Sequence, residues 1–285
     1  MKIVVIMGPT ASGKSEMALK MAKERGGEII SADSMQLYRG LEIGTAQPSA
    51  NERLEVPHHL VGCFPIGEKI DVFRYCELAD AAISGVAARG KLPILCGGTG
   101  FYLKALLRGL DDLPGDAGLR RELDEKYDSD AGCPLLVKEM ETLDPQGLEK
   151  WRHCRRKLIR ALEVRLLSGK SILELQRGQG ALRYDAEAYR LEMPPETLRR
   201  RIEVRAKKML ASGWIEEAQV ALSQGLLDTP TAHQAIGYRA IGEFLDGKYD
   251  RGKLLENIVT STCQYARRQR TWFRHQHPEA QVIAL

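Results

Sequence analysis

The stretch GPTASGKS at positions 8–15 determines how the rest of the chain is interpreted. It fits the phosphate-loop spacing G-x-x-x-x-G-K-[ST], in which backbone N–H groups and a helix N-terminus bind phosphate oxygens. Residues 2–7 before it form a branched apolar run that predicts a buried strand, and residues 15–25 after it have helical spacing. Lys14 adds a positive charge, and the Ser15 hydroxyl can reach Mg²⁺. This phosphate loop predicts a site for a diphosphate or triphosphate with a metal, but it does not specify the reaction.

Further strands are predicted to end beside the phosphate loop. Residues 28–33 predict a strand that carries Asp33 at its C-terminal end, where ligands bind in open α/β sheets. A helical pattern over 71–89 leads to a strand at 92–96, and the glycine-rich turn 97–100 opens another helix. This β-α-β series predicts a parallel sheet. Taken alone, an Asp at such a strand end is typical of a metal or water ligand, and G-G-T-G is typical of a tight turn.

The pattern becomes helical in the second half of the chain. Residues 119–182 predict helices almost throughout, with breaks near 132–134 and 144–145. Residues 188–193 predict a strand that returns to the sheet, and helices resume over 196–274. The chain shows neither an internal repeat nor a low-complexity tract.

We therefore predict an α/β fold: a P-loop NTPase-like parallel sheet flanked by helices, with an all-helical insertion and a helical C-terminal region. The predicted catalytic core, with basic C-terminal helices, comprises 1–110 and 188–285. The predicted helical insertion comprises 111–187.

The distribution of charge points to a polyanionic partner. The chain has 285 residues, 44% of them hydrophobic and 28% charged, and a formal net charge of +4. These values are those of an ordinary globular protein. Cations nevertheless concentrate in residues 199–208 and in residues 251–274. Such runs are typical of polyanion binding, although any single run is also typical of a solvated helix face.

Cysteine usage indicates a reducing compartment. The six cysteines are scattered and form no C-x-x-C pair, which argues against a disulfide framework. The sequence enters its first strand without a signal peptide, and no apolar run approaches about 18 residues. We therefore expect a cytoplasmic protein that does not span a membrane, and we expect a monomer.

Several motifs follow the phosphate loop in a fixed order. They are ISADSMQLYRGLEIGTAQP at 30–48, VPHHL at 56–60, GGTGFYLKAL at 97–106, RALEV at 160–164, QAIGYR at 234–239 and QYARRQRTWFR at 264–274. With this ordered set the chain resembles the tRNA dimethylallyltransferase family, also called isopentenyl-adenosine transferases. The resemblance runs from Met1 to about Arg274.

The resemblance implies a prenyl-transfer reaction. In this family the N6 atom of an adenine at position 37 of tRNA, next to the anticodon, attacks dimethylallyl diphosphate, and diphosphate leaves. Such a reaction requires stabilisation of the leaving diphosphate, a base for the N6 proton and an oriented, dry pocket. The expected partners are therefore tRNA, through its anticodon stem-loop, and dimethylallyl diphosphate, with Mg²⁺ as cofactor.

The resemblance also implies roles for individual residues. Asp33 matches the catalytic base and Thr99 the residue that binds the diphosphate near the breaking bond. The expected diphosphate-binding residues are Gly8, Thr10, Ala11, Ser12, Gly13, Lys14, Ser15 and Arg205, with Ser15 also at the metal. The expected tRNA-binding residues are Asp33, Ser34, Met35, Gln36, Thr99, Arg120, Arg156, Lys157, Arg160, Gln234, Gly237, Tyr238, Arg239, Arg267, Arg268, Arg270 and Arg274.

The chain departs from the family pattern before RALEV, where the family commonly has H-P-N-D and this sequence has WRHC at 151–154. This departure concerns a helix start near the insertion. His58 and His59 lack metal-site spacing and are expected to order a loop. His275 and His277 have no third ligand at suitable spacing and are expected at the surface.

Other functions share part of this pattern. An adenylate isopentenyltransferase acting on AMP, ADP or ATP would share the phosphate loop and Asp33, but would not need the insertion or the motif at 264–274. A P-loop small-molecule kinase would leave the basic C-terminal helices unexplained. A non-catalytic RNA-binding protein would not need Lys14, Ser15 and Thr99.

Overall fold

The computed structural model of the chain describes residues 1–127, 129, 132–176 and 180–285. These residues form two compact units. The first unit joins Met1–Arg108 to Leu182–Leu285, and the second is Gly109–Ala181. Part of the predicted helical stretch 119–182, namely residues 128, 130, 131 and 177–179, lies outside the described residues.

The helices and strands follow one another in an order that begins with strand–helix alternation. In chain order they are β1 (Lys2–Met7), α1 (Lys14–Arg25), β2 (Gly27–Ser31), α2 (Ala50–Glu55), β3 (His58–His59), α3 (Val72–Ala88), β4 (Leu92–Gly97), α4 (Gly100–Arg108), α5 (Ala117–Tyr127), α6 (Gly132–Leu143), α7 (Pro145–Trp151), α8 (Arg155–Ser168), α9 (Ile172–Leu175), β5 (Asp185–Glu192), α10 (Pro195–Ala211), α11 (Trp214–Ser223), α12 (Tyr238–Leu245), α13 (Arg251–Gln276) and β6 (Gln281–Ala284). Short 3-10 helices lie at Leu226–Asp228 and Ala232–Gln234. Within the described residues, no helix has the length and apolar character needed to cross a membrane.

The first unit is built on a parallel sheet. Among the described residues its six strands lie in the order β3-β2-β4-β1-β5-β6, and every pair is parallel. β1 is central and buried from Ile3 to Met7, which explains its unbroken apolar sequence. The C-terminal ends of β1, β4 and β2 lie side by side, so the segments that follow them meet at one edge. The predicted α/β fold with a parallel sheet flanked by helices is confirmed.

The outer part of the sheet differs from the prediction. β5 begins at Asp185 rather than at residue 188. β3 contains only His58 and His59, within a segment predicted to be irregular, and β6 lies beyond the last predicted helix. Both are short strands at the edges of the sheet, where burial imposes little pattern on the sequence.

The second unit has its own apolar core, formed by buried side chains from α5, α6, α7, α8 and α9. Asp144 caps α7 by accepting a hydrogen bond from Gly147 N at 3.0 Å, and Pro145 occupies the first turn. This cap produces the helix break predicted near 144–145. α6 begins at Gly132, in the other region where a break is predicted.

Candidate active site

The phosphate loop connects the end of β1 to the first turn of α1. Gly13 precedes the helix with a φ of 93°, in the left-handed region that favours glycine. A Cβ on Gly8 would lie 2.9 Å from the Ser12 hydroxyl and 3.1 Å from Leu191 Cβ, so a side chain there would displace its neighbours. Ser12 is fully buried, and its hydroxyl has no hydrogen-bond partner in the described part of the chain. The loop is thus tightly wound around a polar group that needs a partner.

Lys14 and Arg205 bring positive charge to the phosphate loop. Lys14 Nζ donates to the Pro9 carbonyl at 3.3 Å, and Arg205 Nη1, from α10, donates to Thr10 Oγ1 at 3.3 Å. Burial lowers the pKa of both side chains, and the negative charge of the nearby Asp33 carboxylate partly offsets this decrease. Two poorly solvated cations at the N-terminus of α1 favour an anionic ligand.

Asp33 and Thr99 follow the neighbouring strands β2 and β4. Gly97 allows the two segments to approach closely, because a Cβ there would lie 2.1 Å from the Ala32 carbonyl oxygen. Thr99 N donates to that carbonyl at 3.1 Å. The Thr99 hydroxyl accepts from Ser34 N at 2.9 Å and donates to Ser34 Oγ at 3.2 Å. Hydrogen bonds between Thr99 and Ser34, the residue after Asp33, therefore join the segments that follow β2 and β4.

A cavity of about 1190 Å³ opens at this edge of the sheet. Its volume exceeds the roughly 300–1,000 Å³ typical of a pocket for one small molecule. The expected site residues that line it are Thr10, Ala11, Gly13, Lys14, Ser15, Asp33, Ser34, Met35, Gln36, Arg205, Gln234 and Arg268. Residues from the phosphate loop and from three later motifs thus meet in one space, although 258 positions separate Thr10 from Arg268 in the sequence.

The segment 34–48 forms one wall of the cavity and is held by two side chains. Gln36 accepts from Ser31 Oγ at 2.9 Å and donates to the carbonyls of Thr45 and Ala46 at 3.2 and 2.9 Å. Glu217, from α11, accepts from Ile43 N at 2.7 Å and from Gly44 N at 2.9 Å. Sequence analysis missed Glu217, because nothing in the sequence around it indicates which backbone it would meet.

Tyr238 and Gly237, two residues expected to contact RNA, are buried in the structure. Tyr238 is fully buried, its hydroxyl donates to Glu217 at 2.7 Å, and its ring makes an edge contact with Trp214. Gly237 has a φ of 97°, and a Cβ there would lie 2.4 Å from the Trp214 ring. A buried ring and a buried glycine offer RNA no side-chain surface, so both positions support the fold of the cavity wall. Arg239, one residue further, is exposed.

Two further residues of α13, Tyr265 and Gln269, reach the site. Gln269 is buried and bonds to Thr10 N and to the Gly98 carbonyl, both at 2.8 Å. Tyr265 lines the cavity and lies near Thr99 and Gln269. Burial raises the pKa of Tyr265, so its hydroxyl stays protonated. The helical spacing of residues 265 and 269, which places them on one face of a helix, was the available signal in this basic motif.

The arginines of α13 occupy several environments. Arg267 and Arg268 are exposed, and Arg268 lies over the Tyr265 ring at 5.9 Å from its centroid. Arg274 forms a two-point ion pair with Glu192 at 3.0 and 2.8 Å, and Arg270 is half-buried. Of the four α13 arginines expected to contact RNA, Arg267 and Arg268 are therefore the most accessible to a polyanion.

In the second unit, Arg120 and Arg160 converge on Glu163. The Glu163 carboxylate is buried and accepts from both guanidinium groups. Arg160 also donates to the carbonyls of Pro114 and Leu113, at 2.9 and 3.2 Å. Burial lowers the pKa of both arginines. These expected RNA contacts are thus engaged within the unit, whereas Arg156 and Lys157, in the first turn of α8, are exposed.

The histidines correct one expectation. His277, expected at the surface, is fully buried, and burial lowers its pKa. It lies against Phe273 near the end of α13, where the chain turns back towards β6. His275 is exposed, as expected, and His59 bonds to Glu28 at 2.7 Å in β3. The described residues contain no group of three or more His, Cys, Asp or Glu side chains that could hold a metal ion.

Comparisons with known proteins agree with this geometry. Residues 36–276 match the family model described as IPP transferase, and residues 1–58 match the isopentenyl transferase model. The chain is 40% identical over 286 aligned positions to a tRNA dimethylallyltransferase from Anaeromyxobacter dehalogenans, covering 99% of this chain and 93% of the relative.

Solved structures extend the similarity to three dimensions. The full-length tRNA isopentenylpyrophosphate transferase from Bacillus halodurans is 34% identical, with a TM-score of 0.72 over 99% of this chain and 89% of the other. A eukaryotic dimethylallyltransferase acting on tRNA is 28% identical, with a TM-score of 0.83 over 99% of this chain and 73% of the other. Both similarities cover the phosphate loop, the insertion and α13 alike.

Proposed function

Because the chain belongs to the IPP transferase family, we propose that it transfers the dimethylallyl group of dimethylallyl diphosphate to N6 of adenosine 37 in tRNA, next to the anticodon on its 3′ side. Diphosphate is the second product. The observation that carries the proposal is one cavity in which the carboxylate of Asp33 lies with the cations of Lys14 and Arg205. The reaction needs both charges, since a proton must be accepted while negative charge leaves.

The phosphate loop, Lys14 and Arg205 bind the diphosphate. Loop N–H groups and the N-terminus of α1 stabilise its oxygens, and the poorly solvated cations strengthen this interaction. The bond between the diphosphate oxygen and the first prenyl carbon breaks, and its electron pair leaves with the diphosphate. In the proposal, the Thr99 hydroxyl, which is hydrogen-bonded to Ser34, donates a hydrogen bond to the departing oxygen.

Asp33 is the base for the adenine amino group. Its Oδ1 accepts from Met35 N at 3.0 Å, which orients the carboxylate in the cavity. As N6 forms a bond to the first prenyl carbon, one N6 proton passes to Asp33. The target base must leave the anticodon-loop stack to reach this position, and Ser34, Met35 and Gln36 line the wall that receives it.

The residues at the phosphate loop fit a bound Mg²⁺. Ser15 is exposed in the first turn of α1 and lines the cavity, so its hydroxyl would hold the ion together with diphosphate oxygens and water. Magnesium commonly uses few protein ligands, and one hydroxyl beside a diphosphate meets that preference. When bound, the ion neutralises charge on the leaving diphosphate.

Exposed cations contribute the affinity for tRNA. Arg239, Arg267 and Arg268 in the first unit, and Arg156 and Lys157 in the second, are exposed and contact phosphates in the proposal. The cysteines of the described residues are free, as is typical of proteins in the reducing cytoplasm, where tRNA is modified. The protein acts as a monomer in this account.

Incubation with labelled dimethylallyl diphosphate, Mg²⁺ and either unmodified tRNA or AMP tests the proposal. We expect label in tRNA, at one adenosine of the anticodon loop, and release of one diphosphate per label. A tRNA in which that adenosine is replaced by guanosine is the matched control and should remain unlabelled. Label in AMP but not in tRNA would contradict the proposal and favour an adenylate isopentenyltransferase.

A further inference from the structure

The carboxamide of Gln269 joins two loops that are distant in the sequence. Its Oε1 accepts from Thr10 N, in the phosphate loop, at 2.8 Å, and its Nε2 donates to the Gly98 carbonyl, in the turn after β4, also at 2.8 Å. The residue is only 5% exposed. A buried carboxamide bonded on both sides contributes to one defined geometry of the two loops.

Each end of this bridge continues to a residue of the proposed reaction. The Thr10 hydroxyl accepts from Arg205 Nη1 at 3.3 Å, so the residue that Gln269 holds by its backbone also contacts a diphosphate-binding cation. Gly98 directly precedes Thr99. Gln269 therefore lies between the group that binds the diphosphate and the group that contacts its departing oxygen.

The site accepts few side chains other than glutamine. One side-chain atom must accept a hydrogen bond from Thr10 N, while a second atom beside it donates one to the Gly98 carbonyl. A carboxamide meets both requirements, through its oxygen and its nitrogen. An ionised carboxylate at this position would still accept from Thr10 but would face the Gly98 carbonyl without a proton to donate. The space is also restricted, since a Cβ on Gly98 would lie 2.3 Å from Gln269 Nε2.

We propose that Gln269 is a positioning residue, which holds the phosphate loop and the Thr99 turn at the separation needed for departure of the diphosphate. This inference rests on the proposed prenyl transfer for its kinetic consequences. It does not depend on the identity of the acceptor. A displacement of catalytic groups by about 1 Å commonly lowers the rate by about a hundredfold.

The Gln269→Glu variant tests the proposal through pH. A protonated glutamic acid donates one hydrogen bond and accepts another, as glutamine does, whereas the carboxylate cannot donate. Burial raises the pKa of such a carboxyl above that of exposed glutamate. We expect kcat for dimethylallyl transfer, relative to wild type at each pH, to be reduced about tenfold to a hundredfold at pH 8.5 and to recover towards pH 5.5.

Two further variants complete the experiment. Gln269→Met has a similar size without either hydrogen bond, and its relative kcat should be low at every pH. Gln264→Glu makes the same chemical change at an exposed position of α13 and should leave the ratio near one throughout. Circular dichroism at each pH determines the folded fraction of every variant.

Several results would overturn the proposal. The first is a wild-type kcat for Gln269→Met. The second is a kcat of Gln269→Glu, relative to wild type, that does not change with pH. The third is a loss of folded Gln269→Glu protein that parallels the loss of its activity. Binding of inorganic diphosphate with Mg²⁺, measured by calorimetry, separates this inference from the proposed function. If wild type transfers nothing to tRNA, the proposed function fails. Weaker diphosphate binding by Gln269→Met would still support the positioning role in that case. Unchanged diphosphate binding would reject the positioning role.

Discussion

Asp33 and Thr99 show how two short side chains are given defined orientations. Asp33 accepts from the backbone of Met35, and the Thr99 hydroxyl both accepts from and donates to Ser34. Because each of these side chains contacts only a few neighbouring groups in the segments after β2 and β4, a conservative substitution at either position should change the chemistry with little effect on the fold. Predictions at these residues can therefore separate the steps of the reaction.

Asp33→Asn should lower the single-turnover rate of prenyl transfer about 10²–10⁴-fold, since an amide is nearly isosteric but does not accept the N6 proton. Binding of tRNA and of dimethylallyl diphosphate should remain within a few-fold of wild type. Rapid-quench measurement with saturating enzyme checks the rate, and filter binding checks the affinity. A variant with a nearly normal rate would exclude Asp33 as the base.

Thr99→Ala and Lys14→Ala should impair the reaction in different ways. In the proposed mechanism Lys14 contacts the diphosphate before and during its departure, so its loss should raise KM for the prenyl diphosphate as well as lower kcat. The Thr99 hydroxyl acts as charge develops, so its loss should lower kcat with little effect on KM. Steady-state kinetics of both variants make the comparison. Normal kcat and kcat/KM for Thr99→Ala would remove Thr99 from the mechanism.

Some of these residues can be found from the sequence and others cannot. The phosphate loop and Asp33 are visible because each lies next to a strand with a clear apolar pattern. Gln269 bonds across 259 positions to Thr10, and only the packing of α13 makes that contact. The burial of Tyr238 could not be predicted, because a motif identifies a position as important without indicating whether it is buried.

At the scale of elements, α11 fixes the cavity wall through one carboxylate. Glu217 accepts from the N–H groups of Ile43 and Gly44 and from the Tyr238 hydroxyl. Gly44 is essential to this arrangement, because a Cβ there would lie 2.2 Å from Trp214 Nε1 and 2.4 Å from the Tyr238 hydroxyl. Two motifs, at 30–48 and 234–239, therefore meet at a residue that belongs to neither.

Glu217→Gln should destabilise the protein by about 1–3 kcal/mol, since the amide leaves at least one of these donors without an acceptor. The free energy of unfolding from urea titration measures this loss. Glu216→Gln, at an exposed position of the same helix, is the control and should change stability by less than about 0.5 kcal/mol. Equal stability of the two variants would show that Glu217 does not anchor the segment.

The central strands could be predicted and the edge strands could not, for one physical reason. β1 from Ile3 to Met7 and β4 from Pro93 to Gly97 are buried and contain no charged side chain, whereas β6 has only Ile283 partly covered. β3 is fixed by two backbone pairings to Ile29 and Ile30 rather than by its own composition. The periodicity of apolar residues in a sequence reflects burial, so it gives little information about strands at the edge of a sheet.

At the scale of the whole molecule, a net charge of +4 conceals a local excess of cations. Among the arginines of α12 and α13, Arg239, Arg267 and Arg268 are exposed and available to phosphates, whereas Arg274, which is also exposed, is bonded to Glu192. Cations that contact RNA phosphates release the counterions bound there. The number of such cations determines how steeply RNA binding falls with salt concentration.

Replacing Arg239, Arg267 and Arg268 together by Ala should weaken tRNA binding and flatten its salt dependence, by about one unit of slope for each lost phosphate contact. Binding of inorganic diphosphate should change less than that of tRNA. A control that replaces Lys20, Lys248 and Lys253 removes the same charge from exposed positions outside the shared motifs. Equal slopes for the two triple variants would contradict a specific RNA-binding role for the arginines.

The most direct test of the account is nucleoside mass spectrometry of tRNA from a strain that lacks the gene, complemented with the wild-type or the Asp33→Asn protein. The account predicts that prenylated adenosine, or a product derived from it, is absent from the deletion strain. Wild type should restore it, and Asp33→Asn expressed at the same level should restore only a small fraction. Prenylated adenosine that persists in the deletion strain, or full restoration by Asp33→Asn, would contradict the central claim.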